Sequence, residues 1–72
     1  MKIPKLFPDE ECHVVQRGRQ YVTSFSYMSN KATFSTNPAA AFQFRNWETA
    51  DHIRDMIDRT EPGNTKAKVL SL

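Results

Sequence analysis

The chain has one cysteine, two glycines and no long apolar run. A lone Cys12 excludes an intramolecular disulfide framework and fits a reducing compartment. Gly18 and Gly63 stand apart, so no glycine-rich loop is present to cradle a phosphate. No window approaches the roughly 20 apolar residues needed to span a bilayer. The opening MKIPKLFPDEE carries two lysines without an apolar run behind them, unlike a secretory signal. A net charge of +2 over 72 residues is too small to declare a polyanion partner. Internal repeats and low-complexity tracts are missing as well. The expectation is a soluble cytoplasmic protein without membrane contact or cofactor.

What remains is the material for one small domain over residues 1–72. A chain of this length buries only roughly 60% of its unfolded surface, so single core aromatics matter. Residues 1–10 carry Pro4 and Pro8 around Leu6 and Phe7. Proline removes backbone donors and pushes its predecessor toward extended geometry, which predicts an arm.

Residues 11–36 read as a β-meander. Cys12 to Arg17 is the first strand, with Cys12 and Val14 on one face and His13 and Val15 on the other. Gly18, between Arg17 and Arg19, supplies the positive φ that a hairpin needs. Tyr21, Thr23, Phe25 and Tyr27 then alternate with Val22, Ser24, Ser26 and Met28. Simple alternation places the aromatics together, facing the core. Ser29-Asn30-Lys31 is turn chemistry, and Ala32 to Thr36 returns as a third strand with Phe34 inward.

Residues 37–61 read as helical. Asn37-Pro38 starts a short turn, because Asn caps well and Pro is tolerated at the first helical position. Asn46 caps a second helix, with Glu48 placed to favour its dipole. Trp47, Ala50, Ile53, Met56 and Ile57 form a stripe that covers one sheet face. Glu61-Pro62-Gly63-Asn64 ends this helix, and residues 62–72 form a tail or a fourth, edge strand. The fold class is α+β: a three-stranded antiparallel meander covered by one C-terminal amphipathic helix. Expected core residues are Tyr21, Phe25, Phe34, Ala41, Phe44, Ala50, Ile53 and Ile57, with Trp47 as a lid. Val15, Val22, Met28 and the terminal apolar residues are then left to bury against a second copy.

Site chemistry is sparse. Cys12 and His52 would make a thiolate–imidazole pair if the fold brought them together, but no third orienting residue suggests itself. Cys12, His13 and His52 are the soft ligands, and adjacent strand residues point to opposite faces, which argues against zinc. Asp51, Asp55 and Asp58 line a helix face beside Arg54 and Arg59, as a solvated face does. No catalytic residue, metal ligand or cofactor contact is therefore assigned. Arg17, Arg19, Lys31 and Arg45 are the candidate contacts to nucleic-acid phosphates. Leu6, Phe7 and Trp47 are the candidate anchors for a protein partner.

Tyr21, Phe34-Ser35, Asn37-Pro38, Ala41, Phe44 and Ala50 follow one pattern: hairpin tyrosine, turn, alanine, phenylalanine three positions on, then a helix. Over residues 12–58 this pattern resembles small phage and prophage proteins of unknown function. The resemblance implies a genomic neighbourhood and brings no active site with it. The leading reading is a non-catalytic binding protein that engages a protein partner, with self-association into a homodimer. The alternative is a nucleic-acid module built on the basic hairpin. An enzyme centred on Cys12 or His52 comes third.

Overall fold

The computed structural model describes residues 3–29, 31–61, 63 and 65–72. Asn30, Pro62 and Asn64, which belong to the two turns expected above, lie outside the described residues. The elements run β1 (His13–Arg17), β2 (Gln20–Ser26), β3 (Lys31–Ser35), a 3-10 turn (Pro38–Ala40), α1 (Trp47–Thr60) and β4 (Ala67–Ser71). The sheet is antiparallel in the order β3-β2-β1-β4. The three-stranded meander thus gains a fourth, edge strand from the C-terminus. It pairs with β1 over the full length of both strands, from His13 opposite Ser71 to Arg17 opposite Ala67.

Local chemistry sets the element boundaries. Gly18 takes φ 63° in the β1–β2 turn, a conformation that costs glycine nothing. Asn37 accepts a hydrogen bond from the Ala39 amide, and Pro38 opens the 3-10 turn. Asn46 caps α1 by accepting from the Glu48 and Thr49 amides at 2.8 and 3.4 Å. At the far end Glu61 N donates to Ile57 O and closes the last turn.

α1 buries Ala50, Ile53 and Ile57 against the sheet, where they meet Val15, Val22, Phe44 and Ala67. Phe25, Ala32, Phe34 and Val69 pack around this centre. Two expectations fail here. Tyr21 is only half-buried, while Val22 is fully buried in the core. Trp47 is 47% exposed and does not serve as a lid.

The first difference has a mechanical cause. Val22 pairs with Phe34, but Ser24 pairs with Thr33, so Thr23 is an extra residue in β2. This bulge resets the alternation. Val22 and Phe25, three positions apart, both face α1. The hydroxyls of Thr23 and Ser24 each lie 2.6 Å from that of Thr33 and fasten the bulge. Val15 and Val22 are therefore consumed inside the chain's own core and are not left for a second copy.

The bulge also parts β2 from β1. Their ladder covers Gln16 opposite Tyr21 and Arg17 opposite Gln20, beyond which residues 42–44 enter the gap. Phe42 N donates to Val22 O at 2.9 Å on one side. On the other, Phe44 and His13 exchange both backbone bonds at 2.7 Å. The backbone groups freed by the splay are satisfied in this way, as burial requires. Gln43, between the two phenylalanines, points to the face opposite Phe44.

Gln43 is the clasp for the N-terminal arm. Its Nε2 donates to Pro4 O at 2.6 Å and its Oε1 accepts from Leu6 N at 2.8 Å. One side-chain amide thus serves a carbonyl and an N–H two residues apart, as a strand partner would. Beyond it the arm is not extended throughout: Glu10 N donates to Phe7 O and closes a turn with Pro8 inside it. Gln43→Leu keeps the volume and removes both bonds. The expected cost is about 1–3 kcal/mol, with faster hydrogen exchange at Leu6. Unchanged exchange at Leu6 would show that the arm is held by something else.

Candidate binding groove

Three segments converge where the sheet splays. The arm brings Leu6 and Phe7, the inserted segment brings Phe42 and Phe44, and β2 with the turn after it brings Phe25 and Tyr27. Two cavities result. One of about 740 Å³ runs between Leu6, Phe7, Ala39–Phe44 and the start of α1. The other, of about 300 Å³, lies between Phe25, Tyr27, Phe42, Phe44, Thr49 and Ile53. Both are within the size range of ligand sites. They share Phe42, Phe44 and Thr49, which makes them one groove in two compartments.

The aromatic pairs hold its shape. Phe42 and Phe44 meet edge to face with centroids 4.8 Å apart, and Phe25 and Tyr27 do so at 5.2 Å. Such contacts favour one relative orientation of the rings. Phe42 is nevertheless 50% exposed and Tyr27 61%. At the arm end the Arg45 guanidinium lies 3.8 Å from the centroid of the Phe7 ring. The same guanidinium pairs with Glu10 at 3.1 Å, which neutralises the charge on that wall.

Leu6 and Phe7 thus stand together in the lining of the larger compartment. Trp47 stands outside the lining of both compartments. The four cations are not brought together. Arg17 turns toward Gly63 and Thr65, with Nε donating to Thr65 O at 3.2 Å. Arg19 is exposed in the β1–β2 turn. Lys31 sits at the other end of β2, whose seven residues span about 20 Å. Arg45 is on the arm wall.

Several of the remaining titratable groups are engaged in holding the fold. Cys12 is buried and its thiol faces Phe7 O at 3.7 Å, while His52 is exposed on α1. No hydrogen bond joins them among the described residues. His13 Nε2 lies 2.7 Å from Glu11 Oε1 and its Nδ1 lies 2.9 Å from Ser71 Oγ. A carboxylate only accepts, so Nε2 donates to Glu11, and Nδ1 shares a hydrogen bond with the Ser71 hydroxyl. The order serine, imidazole, carboxylate is that of a nucleophile, base and orienting group. However, His13 is 3% exposed and lines none of the cavities described, so the chain of bonds acts as a clasp between β4 and β1.

On α1, Arg54 bridges Asp51 at 2.8 Å and Asp58 at 2.9 Å, and Arg59 pairs with Asp55 at 3.1 Å. The hydrogen bond that Arg54 donates to Asp51 leads in raising the Arg54 pKa, against the opposing effect of desolvation. Raised above its ordinary value, Arg54 gives stability that is fully present at neutral pH. As the pH rises, that contribution is lost only in strong alkali. Asp58 also accepts from Ala67 N at 2.8 Å and so positions the start of β4. No group of three or more metal-ligating His, Cys, Asp or Glu side chains occurs among the described residues. No described helix is long and apolar enough to cross a membrane.

Phe42, Gln43, Tyr27 and Thr49 are among the groove residues that sequence reasoning did not single out. A signal was present for two of them: Phe42-Gln43-Phe44 alternates like a strand although it follows a helical turn. Comparison of the chain with protein-family models, with curated proteins and with solved structures finds no match.

Proposed function

We propose that this chain is a non-catalytic accessory protein that engages a protein partner through the groove between arm and β2. The observation that carries the reading is Phe42. It is half-exposed at the junction of two apolar compartments, in a chain that buries Val15, Val22, Ile53 and Ile57 completely or nearly so. An apolar floor with a neutral rim suits aliphatic or aromatic side chains of another protein. The setting is the cytoplasm, in keeping with the free thiol of Cys12. The motif from Phe34 to Ala50 suggests a phage or prophage origin. The cations give the nucleic-acid alternative little support, because they stand at separate places.

A displayed-peptide library selected on the purified protein tests the reading. Enriched peptides are expected to carry apolar anchors, and to bind Phe42→Asp at least about tenfold more weakly, as expected for an anchor contact. Binding to Arg19→Ala is expected to be unchanged. Peptides that bind Phe42→Asp as well as wild type, or a library with no enrichment, would overturn it.

A further inference from the structure

We infer that the N-terminal arm is an intramolecular stand-in for the partner: it seats an extended backbone on Gln43, and a partner segment of the same pattern displaces it. The inference rests on the groove being the binding surface, and three observations carry it.

The first is how Gln43 holds the arm. Gln43 is 9% exposed and lines the larger compartment. Its amide donates to Pro4 O and accepts from Leu6 N. A carbonyl at one position and an N–H two positions on lie along one edge of an extended strand. Both groups belong to the backbone, so the contact recognises an extended segment whatever its side chains. Proteins capture extended peptides in this way, with neighbouring pockets supplying the specificity.

The second is how little else holds the arm. The hydrophobic core cluster includes none of residues 3–11. Leu6 is 66% exposed and Phe7 38%. The Arg45 guanidinium, stacked on Phe7 and paired with Glu10, is itself more than half exposed, where such contacts contribute little. The Cys12 thiol, 3.7 Å from Phe7 O, is a weak donor. The bonds from Glu10 N to Phe7 O and from Lys5 Nζ to Pro8 O lie within the arm and travel with it. A segment with so few buried apolar contacts opens locally, without unfolding the domain.

The third is what the arm covers. Leu6 and Phe7 line the larger compartment together with Phe42, Gln43, Phe44 and Arg45. When the arm lifts, the Gln43 amide, the half-exposed Phe42 ring and the Arg45 guanidinium are offered together. A matching partner segment gives a carbonyl at its first position, where proline is allowed. Two positions on it needs an N–H, which excludes proline. An aromatic residue follows directly, for Arg45 to stack on. Pro4, Leu6 and Phe7 satisfy this pattern themselves.

An amide-resolved NMR titration of the labelled full chain with the capped peptide IPKLFPDE, the sequence of residues 3–10, is the test. A tethered arm acts at an effective concentration on the order of millimolar. An arm seated most of the time therefore implies a dissociation constant at or below about that value for the free peptide. Leu6→Pro in the chain removes the N–H that Gln43 accepts and releases the arm, leaving Gln43, Phe42 and Arg45 in place. This variant is expected to bind the peptide saturably, with shifts at Phe42, Arg45 and the Gln43 side-chain amide. Wild type, whose own arm competes, is expected to bind at least about fivefold more weakly. The same peptide carrying Leu6→Pro is expected to lose at least about fivefold on the released chain, for want of one hydrogen bond. Phe7→Ala, which keeps the Leu6 N–H but removes the ring under Arg45, is a second releasing variant and is expected to bind between the two chains. Equal binding by wild type and both variants overturns the inference, as does no binding to either variant at several times the millimolar value. A library-selected peptide that shifts Phe42 but leaves the Leu6 amide and the Gln43 side-chain amide unmoved also overturns it, and leaves the groove reading standing. A library with no enrichment removes the groove reading and this inference with it.

Discussion

Val22→Asp is expected to leave the chain predominantly unfolded at neutral pH, whereas Tyr21→Asp is expected to cost about 1 kcal/mol, the span of β-propensity effects. Val22 is fully buried between Val15, Phe34 and the α1 stripe, and no cation belongs to that core cluster. A carboxylate placed there is uncompensated, at a cost of about 3–5 kcal/mol or more. A chain of 72 residues has on the order of 4–10 kcal/mol to lose. Tyr21 lies on the other face, half-buried, where an aspartate keeps contact with water. Circular dichroism and urea unfolding of the two variants decide the matter. The reverse ranking would mean that β2 follows simple alternation without the bulge at Thr23.

Ile57→Ala is expected to lower stability by about 2–5 kcal/mol. Ile57 is fully buried under α1, away from both compartments of the groove, so the lost volume becomes a closed cavity. Its surroundings are held by the sheet on one side and by the Asp58–Ala67 bond beside it, which limits collapse into the space. The urea midpoint should fall with little change in slope. A loss below about 1 kcal/mol would show that the helix–sheet contact is loosely packed, since well-packed sites lose more.

The parts of this fold that were legible in the sequence are those with local causes. Asn46, Glu48 and the spacing of Ala50, Ile53 and Ile57 define α1 within a few neighbouring residues. Asn37-Pro38 and Gly18 do the same for the 3-10 turn and the first hairpin. What was not legible depends on distant partners. The bulge exists because Val22 and Phe25 both find α1, and nothing in a serine- and threonine-rich strand announces that Thr23 is the extra residue. Entry of Phe42–Phe44 between β1 and β2 depends on that bulge in turn. The Glu11–His13–Ser71 clasp joins residues 58 positions apart through β4, a strand the sequence left optional.

The site divides in the same way. Leu6, Phe7 and Arg45 were singled out for separate reasons, an apolar anchor role for two and phosphate contact for the third. Folding puts all three on one wall and uses the cation to stack on Phe7. Grouping Lys31 with Arg17 and Arg19 failed for a reason the topology itself supplies. Consecutive turns of an antiparallel meander lie at opposite ends of the sheet.

The central claim is that binding occurs at the groove and is apolar in character. An amide-resolved NMR titration of the labelled protein tests it most directly, with a library-selected peptide in one series and short single- and double-stranded DNA in the other. The account predicts saturable shifts from the peptide at Leu6, Phe7, Phe25, Tyr27, Phe42 and Thr49, insensitive to salt, and silence with DNA at moderate salt. Salt-dependent shifts from DNA centred on Arg17, Arg19 and Lys31, with the groove unmoved by peptide, would contradict it.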